Sequence, residues 1–207
     1  MQILFCASEV APFAKTGGLA DVAGSLPESL RKLGCDVRIF MPLYRSVREK
    51  APALNLVAHQ IAVSVGIHIY HVHFWESSTE SGIPIYFLEK DEFYDRTYLY
   101  GSPVRGDYED NAERFITFCL AARPLCAAIG WYPSILHIHD WQAGLVAAHF
   151  QLNWALRSEI LPHSSRFYYP QYCLSGDLPR QFFQPDQSSA WRLVNAGNRI
   201  LGTMQFP

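Results

Sequence analysis

The residues best placed to do chemistry begin with Glu9 and the run Lys15-Thr16-Gly17-Gly18-Leu19-Ala20-Asp21-Val22. Adjacent glycines let backbone N–H groups approach an anion closely, and a helix starting near Leu19 would aim its positive end at the same point. Lys15 adds a mobile ammonium within reach of a diphosphate. The loop is neither a Walker A sequence nor a GxGxxG fingerprint, so it specifies neither an NTPase nor a dehydrogenase. The plainer alternative is a tight turn before a helix, with Lys15 solvated and Glu9 and Asp21 favoured by the helix dipole.

A second group is His137-Ile138-His139-Asp140-Trp141-Gln142-Ala143-Gly144-Leu145, which closes an apolar run. In open α/β sheets ligands bind beyond the carboxyl ends of strands, which makes Asp140 a candidate for placing a substrate. The alternative is that Asp140 only caps the helix that follows. His137 and His139 stand two apart with no third ligand nearby, so no metal is expected there. His71 and His73 share one face of another strand and also lack a third ligand; they read as ordinary strand residues. In Phe93-Tyr94-Asp95-Arg96, Tyr94 could stack on a sugar or hydrogen-bond to it, since pyranose faces are apolar. Asp95 and Arg96 read equally well as a local salt bridge.

These groups need a scaffold, and the periodicities supply one. Ile3–Ala7 reads as a buried parallel strand. Leu19, Val22, Ala23, Leu26, Leu30 and Leu33 have helical spacing, with Gly34 placed to end the helix and Pro27 expected to kink or divide it. Val37–Met41 is a second strand, which completes a βαβ unit. Leu54–Val65 and His68–Trp75 alternate about Gly66 as an antiparallel hairpin, and Ile83–Leu88 is a further buried strand. A polar, tyrosine-rich loop from Glu89 to Tyr108 leads to a helix over Ala112–Ile129, then a strand over Ile135–Ile138 and a helix over Trp141–Phe150. The expected fold is α/β: a Rossmann-like, mostly parallel sheet over residues 1–150 with a β-hairpin insertion. Past residue 152 no periodic element is evident, and residues 151–207 read as a divergent, disordered or non-native tail.

Bulk properties narrow the classes. The chain has 207 residues, 49% apolar and 17% charged, a globular composition large enough for one good core. A formal charge of −2 argues against nucleic acid as the main partner. The five cysteines are scattered with no CxxC pair, which suits reduced thiols in a cytoplasmic protein. No signal-like opening and no apolar run of membrane-spanning length is present, so no membrane association is expected. The oligomeric state is left open.

The stretch from Ser8 to Tyr44, with its Lys-Thr-Gly-Gly-Leu-Ala-Asp-Val octet, resembles the N-terminal signature of the glycogen and starch synthases, retaining glycosyltransferases of the two-domain GT-B fold. His139-Asp140-Trp141-Gln142-Ala143-Gly144-Leu145, Tyr94-Asp95-Arg96, and Asn111 with Arg114 resemble further motifs of that family. The resemblance implies transfer of glucose from ADP-glucose (or UDP-glucose) to the non-reducing end of an α-1,4-glucan, without metal or organic cofactor. It implies donor-phosphate contacts for Lys15, Gly17 and Gly18, and catalytic or sugar-facing roles for Glu9, Asp21 and Asp140. Tyr94 and His139 become substrate-binding candidates. Two alternatives stand beside it: another GT-B enzyme such as a sucrose synthase, and a non-catalytic glucan- or nucleotide-binding fragment.

The family should continue with a strand bearing Thr-Ile-His-Asn. This chain instead carries Phe167-Tyr168-Tyr169-Pro170-Gln171-Tyr172-Cys173-Leu174-Ser175-Gly176. Permitted codons for those residues, read one base later, spell Ser-Thr-Ile-His-Asn-Ile-Ala-Tyr-Gln-Gly. Arg199–Phe206 shifted the same way gives Glu-Phe-Trp-Gly-Gln-Cys-Asn-Phe, again resembling the family. We therefore expect the tail to run out of frame from a point between Gln151 and His163. The C-terminal nucleotide-binding domain is expected to be missing, the sheet to end on an unpaired apolar edge, and the chain alone to have little transferase activity.

Overall fold

A computed structural model describes residues 1–51, 53–156 and four later strand segments, 166–168, 183–185, 190–194 and 200–205, the backbone alone beyond residue 150. In chain order the elements are β1 (Gln2–Cys6), α1 (Leu19–Lys32), β2 (Asp36–Pro42), α2 (Arg45–Lys50), β3 (Asn55–Val65), β4 (His68–Ser78), β5 (Pro84–Glu89), α3 (Asp91–Tyr94), β6 (Gly101–Ser102), β7 (Gly106–Asp107), α4 (Asn111–Ala128), β8 (Ile135–Ile138), α5 (Asp140–Ala143), α6 (Leu145–Leu156), β9 (Arg166–Tyr168), β10 (Phe183–Pro185), β11 (Ala190–Val194) and β12 (Ile200–Gln205).

One sheet organises the domain, in the order β3-β4-β5-β2-β1-β8-β9. β1 pairs in parallel with β2 on one side (Ile3 opposite Val37) and with β8 on the other (Ile3 opposite Ile135). β2 pairs in parallel with β5, while β3 and β4 form the antiparallel hairpin that extends the sheet at β5. Chain order reverses direction at β1, so the carboxyl ends of β1 and β8 frame a topological switch point, where open α/β sheets hold ligands. All of β1 after Gln2 is buried, as a strand covered on both faces must be.

α1 ends in a Schellman motif: Gly34 at φ 82° lets its N–H reach the Arg31 carbonyl and the Cys35 N–H reach that of Leu30. The expected division at Pro27 does not occur. The helix runs unbroken through it, with the ring buried, which offsets the hydrogen bond lost to the Ala23 carbonyl. α4 is buried on more than one face, because it is sandwiched between the sheet and α5 and α6. Phe118 stacks on Phe40 of β2 at 4.8 Å, which fixes α4 against the sheet.

The segment expected as a loop from Glu89 to Tyr108 contains α3 and the small β6–β7 hairpin. The helix expected over Trp141–Phe150 is two helices, interrupted at Gly144, and the second continues to Leu156. The expectation of a bare edge at β8 is also corrected. Arg166–Tyr168 pairs with it in parallel, Ile135 opposite Arg166. Strands β10, β11 and β12 form a separate antiparallel sheet. The rest of the expected non-native tail lies outside the described residues. No helix among the described residues is long and apolar enough to cross a membrane.

Candidate active site

The site is built where β1 and β8 end side by side. The His139 N–H donates to the Cys6 carbonyl at 3.0 Å, so the segments that leave these two strands start from neighbouring points. After β1 the chain folds through Val10 and Ala14, paired by a short bridge, into the glycine loop and α1. The Ala11 N–H bonds the Ala20 carbonyl at 3.0 Å and fastens this loop to the first turn of α1.

Glu9 is only 3% exposed, and its carboxylate organises the loop from inside. It accepts the Thr16 N–H at 2.5 Å, the Thr16 hydroxyl at 2.6 Å, the Gly17 N–H at 3.3 Å and the Tyr100 hydroxyl at 2.7 Å. The Gly17 amide, expected to face a ligand anion, is thus directed at this internal one, together with the Thr16 amide. Gly18 is the N-cap of α1, and a side chain added at Gly17 or Gly18 would meet open space. The glycines therefore keep the approach to the helix end clear rather than relieve a crowded turn. Lys15 pairs with Asp21 at 2.6 Å, both more than half exposed. Such a surface pair is worth at most about 1 kcal/mol, so Lys15 can turn to another anion at little cost.

Beside Lys15 and Thr16 lies a cleft of about 530 Å³, closed by Ser46 and Lys50 of α2 and by the 97–107 segment, including Tyr98, Tyr100 and Asp107. Gly101 is required in that wall. A methyl group there would sit 2.3 Å from the Gly106 carbonyl oxygen and 2.5 Å from the Asp107 Cα. His139 and Asp140 do not line this cleft. They stand at the neighbouring strand end.

Asp140 is the first residue of α5 with His139 as its N-cap, so it does not occupy the capping position proposed for it. Its φ of 59° is left-handed, costing an L-residue about 1 kcal/mol or more. Such outliers concentrate where function over-determines the backbone. His139 stacks on His137 and Phe5, and its Nε2 lies 2.7 Å from His137 Nδ1. Burial and the neighbouring His137 push the His139 pKa down to about 4, and burial lowers that of His137. Both rings are neutral near pH 7. Among the described residues no group of three or more His, Cys, Asp or Glu could hold a metal ion.

Tyr94 is not where its proposed sugar contact requires. It is fully buried, its hydroxyl donates to the Arg114 carbonyl at 2.7 Å, and its ring packs edge-on against Tyr44. Asp95 and Arg96 do not pair with each other: Asp95 takes Arg45 at 2.7 Å, and Arg96 takes Asp110 at 2.5 Å. The tyrosines that reach the cleft are Tyr98 and Tyr100, and Tyr100 also bonds Glu9. Arg114, with no exposed surface, donates to the carbonyls of Phe93 at 2.7 Å and Leu99 at 2.9 Å and to Asn111 Oδ1 at 2.6 Å. Asn111 in turn donates to the Tyr100 carbonyl at 2.7 Å. Tyr100 carried no signal of its own in the sequence; its carboxylate partner lies 91 residues upstream.

A mostly parallel sheet with a glycine loop and helix at its switch point defines a Rossmann-like domain. The family profile described as the starch synthase catalytic domain matches residues 2–162, and the chain belongs to that family of glycosyltransferases. A glycogen synthase of Syntrophotalea carbinolica is 53% identical over 158 residues, covering 75% of this chain and 32% of the relative. Glycogen synthase 2 of Geobacter sulfurreducens is 40% identical over 146 residues, covering 70% of this chain and 30% of the relative. The catalytic domain of starch synthase IV from Arabidopsis thaliana, solved bound to ADP and acarbose, is similar at a TM-score of 0.64 and 30% identity. That match covers 74% of this chain and 31% of that one, so the chain spans about a third of the length of these proteins.

Proposed function

We propose that this domain serves as the N-terminal part of an enzyme that transfers glucose from ADP-glucose to the non-reducing end of an α-1,4-glucan, with retention of configuration. The observation that carries the reading is Lys15, held beside an open helix N-terminus at the switch point by an ion pair weak enough to exchange. When the glycosidic bond of a nucleotide sugar breaks, negative charge grows on the leaving diphosphate, and a fixed positive environment lowers that barrier. Lys15 and the N-terminus of α1 past Gly17 and Gly18 provide it. Asp21 releases Lys15 to the diphosphate. Asp140 and His139, at the adjoining strand end, orient the hexose, with His139 neutral and able to exchange hydrogen bonds with sugar hydroxyls. The hydroxyl- and tyrosine-lined cleft beside Lys15 suits a carbohydrate. ADP rather than UDP is favoured by the ADP bound to the Arabidopsis relative. Free buried thiols at Cys6, Cys119 and Cys126 support a reducing, cytoplasmic setting.

Calorimetric titration with ADP tests the reading. The chain should bind ADP, and Lys15→Ala should weaken binding about tenfold, or ~1.4 kcal/mol. Equal affinity in the two proteins would refute the role of Lys15. Incorporation of labelled glucose into glycogen by this chain would refute a second reading, binding without turnover.

We also propose that residues beyond about 151–163 are translated out of frame. In support, the family match stops at residue 162, inside that interval. A glycogen synthase of Photobacterium profundum nevertheless aligns over 86% of this chain at 36% identity, which reaches past that point. Coding DNA across residues 150–176 decides: codons incompatible with the shifted reading end the proposal.

A further inference from the structure

The loop that carries Lys15 is not held by its own backbone alone. Its conformation is set by the Glu9 carboxylate, whose four hydrogen-bond donors are the Thr16 amide and hydroxyl, the Gly17 amide and the Tyr100 hydroxyl. None of the four is a cation. The Tyr100 hydroxyl has one proton, which it gives to Glu9, so the Ser8 hydroxyl 2.8 Å away must donate to the Tyr100 oxygen. Burial, with Tyr44 and Glu9 nearby, raises the Tyr100 pKa far above its ordinary value, so the proton stays in place at any physiological pH.

Tyr100 is itself held from behind. Its carbonyl accepts from Asn111 at 2.7 Å and from the Tyr108 N–H at 2.9 Å. Arg114 grips Asn111 and the preceding Leu99 carbonyl, and its guanidinium lies over the rings of Tyr108 and Phe115 at 5.2 Å each. A continuous hydrogen-bonded path therefore runs from the first turn of α4 through Asn111, Tyr100 and Glu9 to Thr16 and Gly17. Lys15, Thr16 and Tyr100 also line one cleft.

We infer that Tyr100 is a positioning residue: through Glu9 it fixes the Thr16–Gly17 backbone, and so the direction in which Lys15 is presented to a diphosphate. On this assignment Glu9 acts through the loop and does not touch the reacting atoms. The inference rests on the reading of Lys15 as a diphosphate contact, and two readouts separate the two ideas. Tyr100→Phe removes the hydroxyl and keeps the ring against Phe115. Amide exchange at Thr16 and Gly17 should accelerate about tenfold as Glu9 loses its anchor, while exchange in β1 and β2 stays unchanged. ADP affinity should fall about threefold to tenfold, while adenosine, which lacks the diphosphate, should bind both proteins alike.

Unchanged exchange at Thr16 and Gly17 in Tyr100→Phe would overturn the inference whatever the ligand results. Faster exchange with ADP and adenosine weakened equally would also overturn it, since the hydroxyl would then support the fold in general. If the unsubstituted chain binds no ADP, the diphosphate reading fails, and the exchange comparison alone judges the tie between Tyr100 and the loop. Should Tyr100→Phe fail to fold, Thr16→Val removes one bond to the same carboxylate from the loop side. The same exchange and ADP-selective losses are expected of it, and their absence refutes the assignment equally.

Discussion

Acidification from about pH 7 to about pH 4.5 should destabilise the chain through histidines that fold in their neutral form. His139 is 6% exposed and stacks on His137 with 4.7 Å between ring centroids. The facing nitrogens, 2.7 Å apart, share one proton, and adding a second would set two N–H donors against each other. Burial and His137 lower the His139 pKa from 6.5 to about 4. In the unfolded chain the ordinary value of about 6.5 returns. As pH falls through that interval the unfolded chain takes up a proton that the native state refuses. The stability contributed by His139 is therefore present in full above about pH 6.5, declines below it, and is gone below about pH 4. The shift corresponds to about 2.5 kcal/mol lost by pH 4.5 and about 3 kcal/mol in all. His149, lowered to about 4 by burial and by Arg123 but partly exposed, adds a smaller loss of the same sign. Urea unfolding of the unsubstituted chain and of His139→Phe, which can stack on Phe5 without titrating, isolates the effect from the carboxylates. The unsubstituted chain should lose about 2 kcal/mol more than the variant between the two pH values. Losses equal to within about 0.5 kcal/mol would refute the argument.

Arg114→Lys leaves an ammonium that cannot serve Phe93, Leu99 and Asn111 at once, and it loses the planar contact with Tyr108 and Phe115. About 3 kcal/mol of stability should go, read as a lower urea midpoint, and a loss below about 1 kcal/mol would contradict the clamp. Gly101→Ala should force the β6–β7 hairpin apart, because its methyl group would lie 2.3 Å from a backbone oxygen. Trypsin should then cut after exposed Arg105 at least about fivefold faster, and an unchanged rate would mean the hairpin has room to spare.

The strands were legible because a sheet covered on both faces demands continuous apolar runs. Ile135–Ile138 emerged with the bounds expected of it, and Gly34 ended α1 as a left-handed C′ residue must. Elements decided by tertiary contact were not legible. Pro27 is tolerated because its ring is buried, the second half of the Trp141 helix is offset at Gly144, and Arg166–Tyr168 becomes a strand only because β8 offers an edge. The same division holds in the site. Lys15, Gly17, Gly18 and Asp21 lie within seven residues of sequence, so their nearness to one another could be read directly. Glu9 was singled out, but its task as the loop's internal anchor was hidden, because its partner Tyr100 is remote in sequence. Tyr94 carried the aromatic signal of a sugar contact, yet its ring went to the core and its hydroxyl to the Arg114 carbonyl. Nothing in local composition separates those two tyrosines.

Between Glu9 and Asp21 the chain carries two carboxylates and one ammonium, and each carboxylate is already engaged with this same turn. Before any ligand arrives the Lys15 ammonium is thus already neutralised by Asp21, so a bare phosphate gains little by displacing that partner. A molecule bringing other handholds as well, such as a base or a hexose, gains more from the same exchange of partners.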